Sequence, residues 1–164
     1  MAKPYYRLEN FGTQTSLGYL LRRLHNLAVP RAEARFANQD ITFSQWVTLV
    51  CLRDGVAGTC ADIARHLNHD SGATTRMVDQ LEERGLLSRS RSKTDRRVVH
   101  LTLTPKGRAM TRALAPSTMN FWNEVLAGFT TAEATMLIAL LSRLLQRVEQ
   151  MPEEQPAART KVIT

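Results

Sequence analysis

Residues 59–104 read TCADIARHLNHDSGATTRMVDQLEERGLLSRSRSKTDRRVVHLTLT, and within them the apolar period changes from helical to alternating. Cys60, Ile63, Ala64 and Leu67 recur at i, i+3, i+4 and i+7, which predicts a short helix. Asn68-His69-Asp70 then forms a turn, with Asp70 suited to cap a new helix. That helix is expected from Ser71 to Arg84, with Thr74, Met77, Val78 and Leu81 facing inward and Gly85 ending it. Leu86 to Arg89 reads as a short strand. Val99, Leu101 and Leu103 alternate with His100 and Thr102 as a second one. Ser90 to Arg97 between them is a polar, basic connector. The order helix, turn, helix, hairpin predicts a winged helix-turn-helix.

A helix can enter the major groove of B-DNA when its first turn is small, polar and exposed. Ser71, Gly72, Thr74, Thr75 and Arg76 suit that role, although Thr74 also falls on the apolar stripe. A helix N-terminus favours phosphate, and Arg76 can reach a phosphate or a guanine edge. The hairpin adds Arg84, Arg89, Arg91, Lys93, Arg96 and Arg97 against one acid, Asp95. A thin basic ribbon beside such a helix can follow the backbone and enter the minor groove. Asp95, two residues before Arg97, is placed to hold its guanidinium in a bidentate pair.

Working outward, Leu17, Leu20, Leu21, Leu24 and Ala28 form one helical stripe, which Pro30 is expected to kink or break near Val29. A further helix is expected from Thr42–Ser44, with Phe43, Trp46, Val47 and Val50 on one face. Thr104-Pro105 opens a long helix that Pro116 should bend. Thr130 and Glu133 have capping-box spacing before a stripe of Leu137, Leu140, Leu141, Leu144 and Val148. The expected organisation is a DNA-binding lobe over 42–104, flanking helices at 15–40 and 105–150, and a flexible tail at 151–164. The flanking apolar stripes must be buried somewhere, and pairing with a second copy as a homodimer is a common solution.

The 164 residues carry 22 Lys and Arg against 15 Asp and Glu, a formal charge of +7, which attracts polyanions. Two cysteines, Cys51 and Cys60, make neither a disulfide scaffold nor a four-thiolate zinc site. The four histidines lack metal-site spacing, so no metal or cofactor is expected. No Gly-rich phosphate loop, nucleophile elbow or candidate triad is present, which argues against an enzyme. With no apolar leader or membrane-length run, the expectation is a cytoplasmic protein without a membrane partner.

Asp95-Arg96-Arg97, five further residues and Leu103-Thr104 match the Asp-x-Arg-x5-Leu-Thr wing signature, and the chain resembles the multiple-antibiotic-resistance regulator (MarR) family over roughly residues 15–150. The resemblance implies a mainly α fold with a small β-hairpin wing, dimerising through its N- and C-terminal helices. It also implies a symmetric dimer on a pseudo-palindromic operator in double-stranded DNA, usually a repressor relieved by a small-molecule effector. Carried over by position, Asp95 and Arg97 are the wing-tip pair and Ser71 to Arg76 start the reading helix. The family's ligand pocket lies where the dimer helices meet the lobe. Arg22, His25, Asn26 and Trp46 are its candidates here, a lining suited to an aromatic or phenolic acid. Two alternatives stand beside this: a winged-helix module docking on protein or RNA, and a regulator sensing oxidants through Cys51 or Cys60. The family's oxidant-sensing cysteine lies near the first helix, where this chain has none.

Overall fold

A computed structural model describes residues 4–36, 39–95 and 97–152, which form six α-helices and one two-stranded sheet. They fall into two compact units that divide after Trp122.

In the first unit, α1 (Leu17–Ala34) begins where the Ser16 hydroxyl accepts the Tyr19 N–H. It runs through Pro30 as one helix, so the break, one of the two outcomes expected there, does not occur. Arg31 Nη1 donates to the Leu27 carbonyl at 2.6 Å, one residue beyond the Asn26 carbonyl that proline leaves without its helical donor. Ala28 and Ala32 are buried in a small cluster with Phe121.

The helix α2 (Phe43–Asp54) opens with a capping box between Thr42 and Gln45. A carboxylate oxygen of Glu33 on α1 accepts the Phe43 N–H at 3.2 Å, placing an acid at the positive end of α2. The expected face packs on the core, with Trp46 buried and Phe43, Val47 and Val50 half-buried against it, and Gln45, Thr48 and Leu49 are buried as well. α2 is packed around most of its circumference, so a single stripe underestimates its contacts. Gly55 closes it in the left-handed region, φ 71°.

Helix α3 (Cys60–Leu67) has a second capping box, between Thr59 and Asp62. Helix α4 (Ser71–Glu83) is capped by Asp70, whose Oδ1 accepts the Ala73 N–H at 2.8 Å. Thr74, Met77, Val78 and Leu81 are its buried residues, as the period predicts. Strands β1 (Leu87–Arg91) and β2 (Val99–Leu103) pair antiparallel, Leu87 opposite Leu103 and Arg91 opposite Val99. β1 therefore extends two residues beyond the predicted strand, and the tip is correspondingly shorter. The Leu101 N–H donates to the Gly58 carbonyl at 2.8 Å, which ties the outer edge of β2 to the turn before α3.

Thr104 locks the next helix onto this lobe. Its hydroxyl donates to the Gly85 carbonyl at 2.6 Å and accepts the Gly107 N–H in the first turn of α5 (Pro105–Val125). α5 is assigned as one helix through Pro116. The core gathers Leu49, Ile63, Val78, Leu81 and Leu86, each fully buried, with Leu87, Leu103 and Leu114 around them.

The second unit holds the end of α5, a turn and α6 (Thr131–Glu149), capped by Thr130 and Glu133 as predicted. No residue of α6 is buried, and Met136, Leu137, Ile138, Leu140, Leu141, Leu145 and Val148 are exposed. In the first unit Leu17, Leu20, Leu21, Leu24 and Leu27 of α1 are exposed as well. No described helix is long and apolar enough to cross a membrane.

Candidate nucleic-acid interface

The start of α4 presents small polar groups because its cap comes from outside the helix. Asp70 holds the first turn, with Ser71, Gly72, Thr75 and Arg76 exposed and Thr74, Met77, Val78 and Leu81 turned inward. The Ala73 N–H holds the Asp70 carboxyl below its ordinary value, aided by Gly72 and by the charge of Arg76. Thr75 Oγ1 donates to the Ser71 carbonyl at 2.8 Å. Thr74 must be removed from the DNA-facing set: it is 1% exposed and its hydroxyl donates to the Asp70 carbonyl at 3.0 Å. Its place on the apolar stripe prevails over its polar side chain.

The wing tip is shaped by short polar side chains. Ser92 Oγ accepts the N–H groups of Thr94 and Asp95, each at 3.2 Å. Asp95 Oδ1 accepts the Arg97 main-chain N–H at 2.9 Å. This corrects the expected pairing: the Asp95 carboxylate supports the backbone of Arg97 and makes no described ion pair with its guanidinium. Arg91, Lys93 and Arg97 are exposed at or beside the tip, and Arg96 lies outside the described residues.

Two of the six hairpin cations are engaged elsewhere. Arg84 donates through Nη2 to the Gln39 carbonyl at 3.2 Å. Arg89 pairs with two carboxylates of α4: its Nη2 is 2.7 Å from Asp79 Oδ1 and its Nη1 2.5 Å from Glu82 Oε2. Asp79, Glu82 and the bound state of Arg89 are what sequence reasoning missed. The signal was there in weak form, since two acids three apart share a helix face, but nothing local says which cation meets them.

A cavity of about 510 Å³ lies beside this ion pair, lined by Thr75, Asp79, Arg89, Arg97, Val98, Val99 and the start of α3, including Cys60. Of the candidate effector residues, Arg22 and Asn26 come together with Tyr19, Arg23 and Leu27 around a depression of about 390 Å³ on α1. His25 and Trp46 do not line it. Trp46 is corrected to a core residue, 6% exposed, its ring 5.6 Å from that of Phe36. Cys51 and Cys60 are half-buried and unpaired in disulfides. Burial, and secondarily Asp54, raises the Cys51 thiol above its ordinary value. No described group of three or more His, Cys, Asp or Glu side chains could hold a metal.

Residues 41–99, which span α2 through the hairpin, match the model of the MarR family. That segment is a MarR-family domain. The chain is 36% identical over 80 residues to the transcriptional repressor MprA of Escherichia coli, covering 49% of this chain. That match takes in 46% of MprA, so the chain spans about half the length of the curated relatives it matches. Among solved structures, wild-type MarR from E. coli in its apo form shares 27% identity at a TM-score of 0.69, over 79% of this chain and 97% of that one. Bordetella bronchiseptica BpsR, described in a study of the regulation of its DNA binding by 6-hydroxynicotinic acid, shares 27% identity at a TM-score of 0.69. That likeness covers 87% of this chain and 99% of BpsR. The two structural likenesses extend well beyond residues 41–99.

Proposed function

We propose that this chain is a sequence-specific transcriptional regulator that binds double-stranded DNA as a homodimer on a pseudo-palindromic operator. One observation carries the reading: an exposed polar α4 N-terminus and a tip bearing Arg91, Lys93 and Arg97 belong to one rigidly cored lobe. Ser71, Gly72, Thr75 and Arg76 face the major groove, and the tip follows the backbone into the neighbouring minor groove. The lobe at 42–104 binds DNA, while the apolar faces of 15–40 and 105–150 pair two copies. This puts two reading helices roughly 34 Å apart, one turn of DNA.

Repression relieved by a small aromatic acid is the regulatory sense we assign. MprA is a repressor, and 6-hydroxynicotinic acid is the compound named for BpsR. Arg22, Arg23 and Tyr19 around the α1 depression offer cationic and aromatic groups to such an anion. The protein acts on DNA without enzymatic chemistry of its own, in the cytoplasm.

The test is footprinting and fluorescence anisotropy on the DNA flanking the protein's own gene, at several salt concentrations. Wild type should protect a site with two-fold symmetry. Arg97→Ala should lower affinity and reduce the salt slope by about one unit for each phosphate that is no longer neutralised. A preference for structured RNA at equal salt would overturn the reading, because the A-form major groove excludes a helix.

A further inference from the structure

We infer that Arg89 is a positioning residue that sets the spacing between the α4 start and the wing tip, by clamping β1 to α4. The inference rests on the DNA-binding reading and deepens it. Arg89 stands in the middle of β1, opposite Leu101. Its main-chain N–H donates to Glu82 Oε1 at 3.2 Å, while its guanidinium reaches Glu82 Oε2 and Asp79 Oδ1. Glu82 thus takes both the backbone and the side chain of one residue. On the opposite edge of the hairpin, the Leu101 N–H is held by the Gly58 carbonyl. The facing residues Arg89 and Leu101 therefore anchor the two outer edges of the wing, one to α4 and the other to the turn before α3.

The clamp is well placed to act at a distance. Asp79 follows Arg76 by three residues on α4, so the acids belong to the same rigid rod as the exposed first turn. Arg91, two residues beyond Arg89, ends β1 and begins the tip. Fixing Arg89 fixes where Arg91 and Arg97 lie relative to Ser71 and Arg76. The Arg89 side chain is 25% exposed, against 47% for Asp79 and 38% for Glu82. A partly sheltered cation with two charge-assisted partners holds geometry better than a single exposed pair does. Its charge is also largely compensated by those two carboxylates, which separates it from the phosphate-facing cations.

The discriminating variant is Asp79→Asn with Glu82→Gln. Simple electrostatics says that removing two anions beside a DNA interface tightens binding. A positioning clamp predicts the reverse: affinity for the footprinted operator falls about tenfold, the scale set by losing charge-assisted hydrogen bonds. Arg89→Met should fall by a similar factor with an unchanged salt slope, unlike Arg97→Ala, and combining Arg89→Met with the acid variants should weaken binding little further. Arg89→Lys, which keeps a cation within reach of one carboxylate, should recover part of the affinity. A readout without DNA completes the test: amide hydrogen exchange of residues 92–95 and 97–98 should quicken in Arg89→Met while α2 and α3 stay protected. Tighter or unchanged binding by the acid variant, or unchanged wing exchange in Arg89→Met, overturns the clamp. Failure of wild type to bind any duplex, with wing exchange still responding to Arg89→Met, would overturn the DNA-binding reading and the clamp's role in it, leaving only the mechanical link.

Discussion

A Cβ placed on Gly107 would stand 1.9 Å from the carbonyl oxygen of Leu86, so α5 can lie against the α4–β1 junction only with glycine at that position. The obstacle is backbone, and Leu86 is fully buried, so neither side can yield cheaply. Elsewhere in a helix, glycine to alanine stabilises by about 1 kcal/mol. Here Gly107→Ala should destabilise, by roughly 1–3 kcal/mol, as overpacking does. Chemical denaturation decides the sign, and a variant as stable as wild type would show that the two backbones do not meet this closely.

Thr74 offers the opposite contrast between a polar residue and a polar role. Thr74→Val keeps the buried shape and loses only the bond to the Asp70 carbonyl, which also accepts the Thr74 N–H at 3.0 Å. Stability should fall by no more than about 1 kcal/mol. Operator affinity should be unchanged, whereas Thr75→Val and Arg76→Ala should both lower it. A large affinity loss in Thr74→Val without a loss of stability would return Thr74 to the interface.

Asp62 links pH to the seating of α3. Its carboxylate accepts the hydroxyl of Thr59 at 2.8 Å and the N–H groups of Thr59 and Gly58 at 3.0 and 3.2 Å. The Thr59 hydroxyl first, and then the Gly58 N–H, hold its pKa below the ordinary value. Because the folded-state pKa is the lower one, this stabilisation is complete above the unfolded value of about 3.9 and is lost as pH falls through the folded value. The Tm of wild type should therefore drop more steeply on acidification below about pH 4 than that of Asp62→Asn. Asp62→Ala should cost about 1 kcal/mol at neutral pH, as the loss of a helix cap does.

Cys51 should be a slow thiol. Burial disfavours its thiolate, and the neighbouring Asp54 adds to the effect. Iodoacetamide labelling at pH 7 should modify Cys51 much more slowly in the native protein than in denaturant, with mass spectrometry assigning the site. Rapid native labelling would favour oxidant sensing at this position.

Most elements were legible because each is written in local chemistry. The caps at Asp70 and Thr130, the inward set Thr74, Met77, Val78 and Leu81, and the alternation at Val99, Leu101 and Leu103 depend on residues a few positions apart. The exposed residues of the α4 start were legible for the same reason, since a cap and a period together say which side chains are left outside. Failures came where one local rule met a distant partner. Proline at position 30 did not break α1, because tertiary packing of Ala28 and Ala32 holds the helix across it. Trp46 looked available for a ligand and is committed to Phe36.

Sequence alone settled which segments are helix, which are strand, and where positive charge accumulates, since propensity, capping and periodicity act over one or two turns. It could not apportion that charge. Arg84, Arg89, Arg91 and Arg97 are equivalent as letters, yet Arg89 is bound to Asp79 and Glu82 and Arg84 to the Gln39 carbonyl, while Arg91 and Arg97 stay exposed. An arginine side chain finds its partner through space, and only the folded chain brings β1 within reach of the acids on α4.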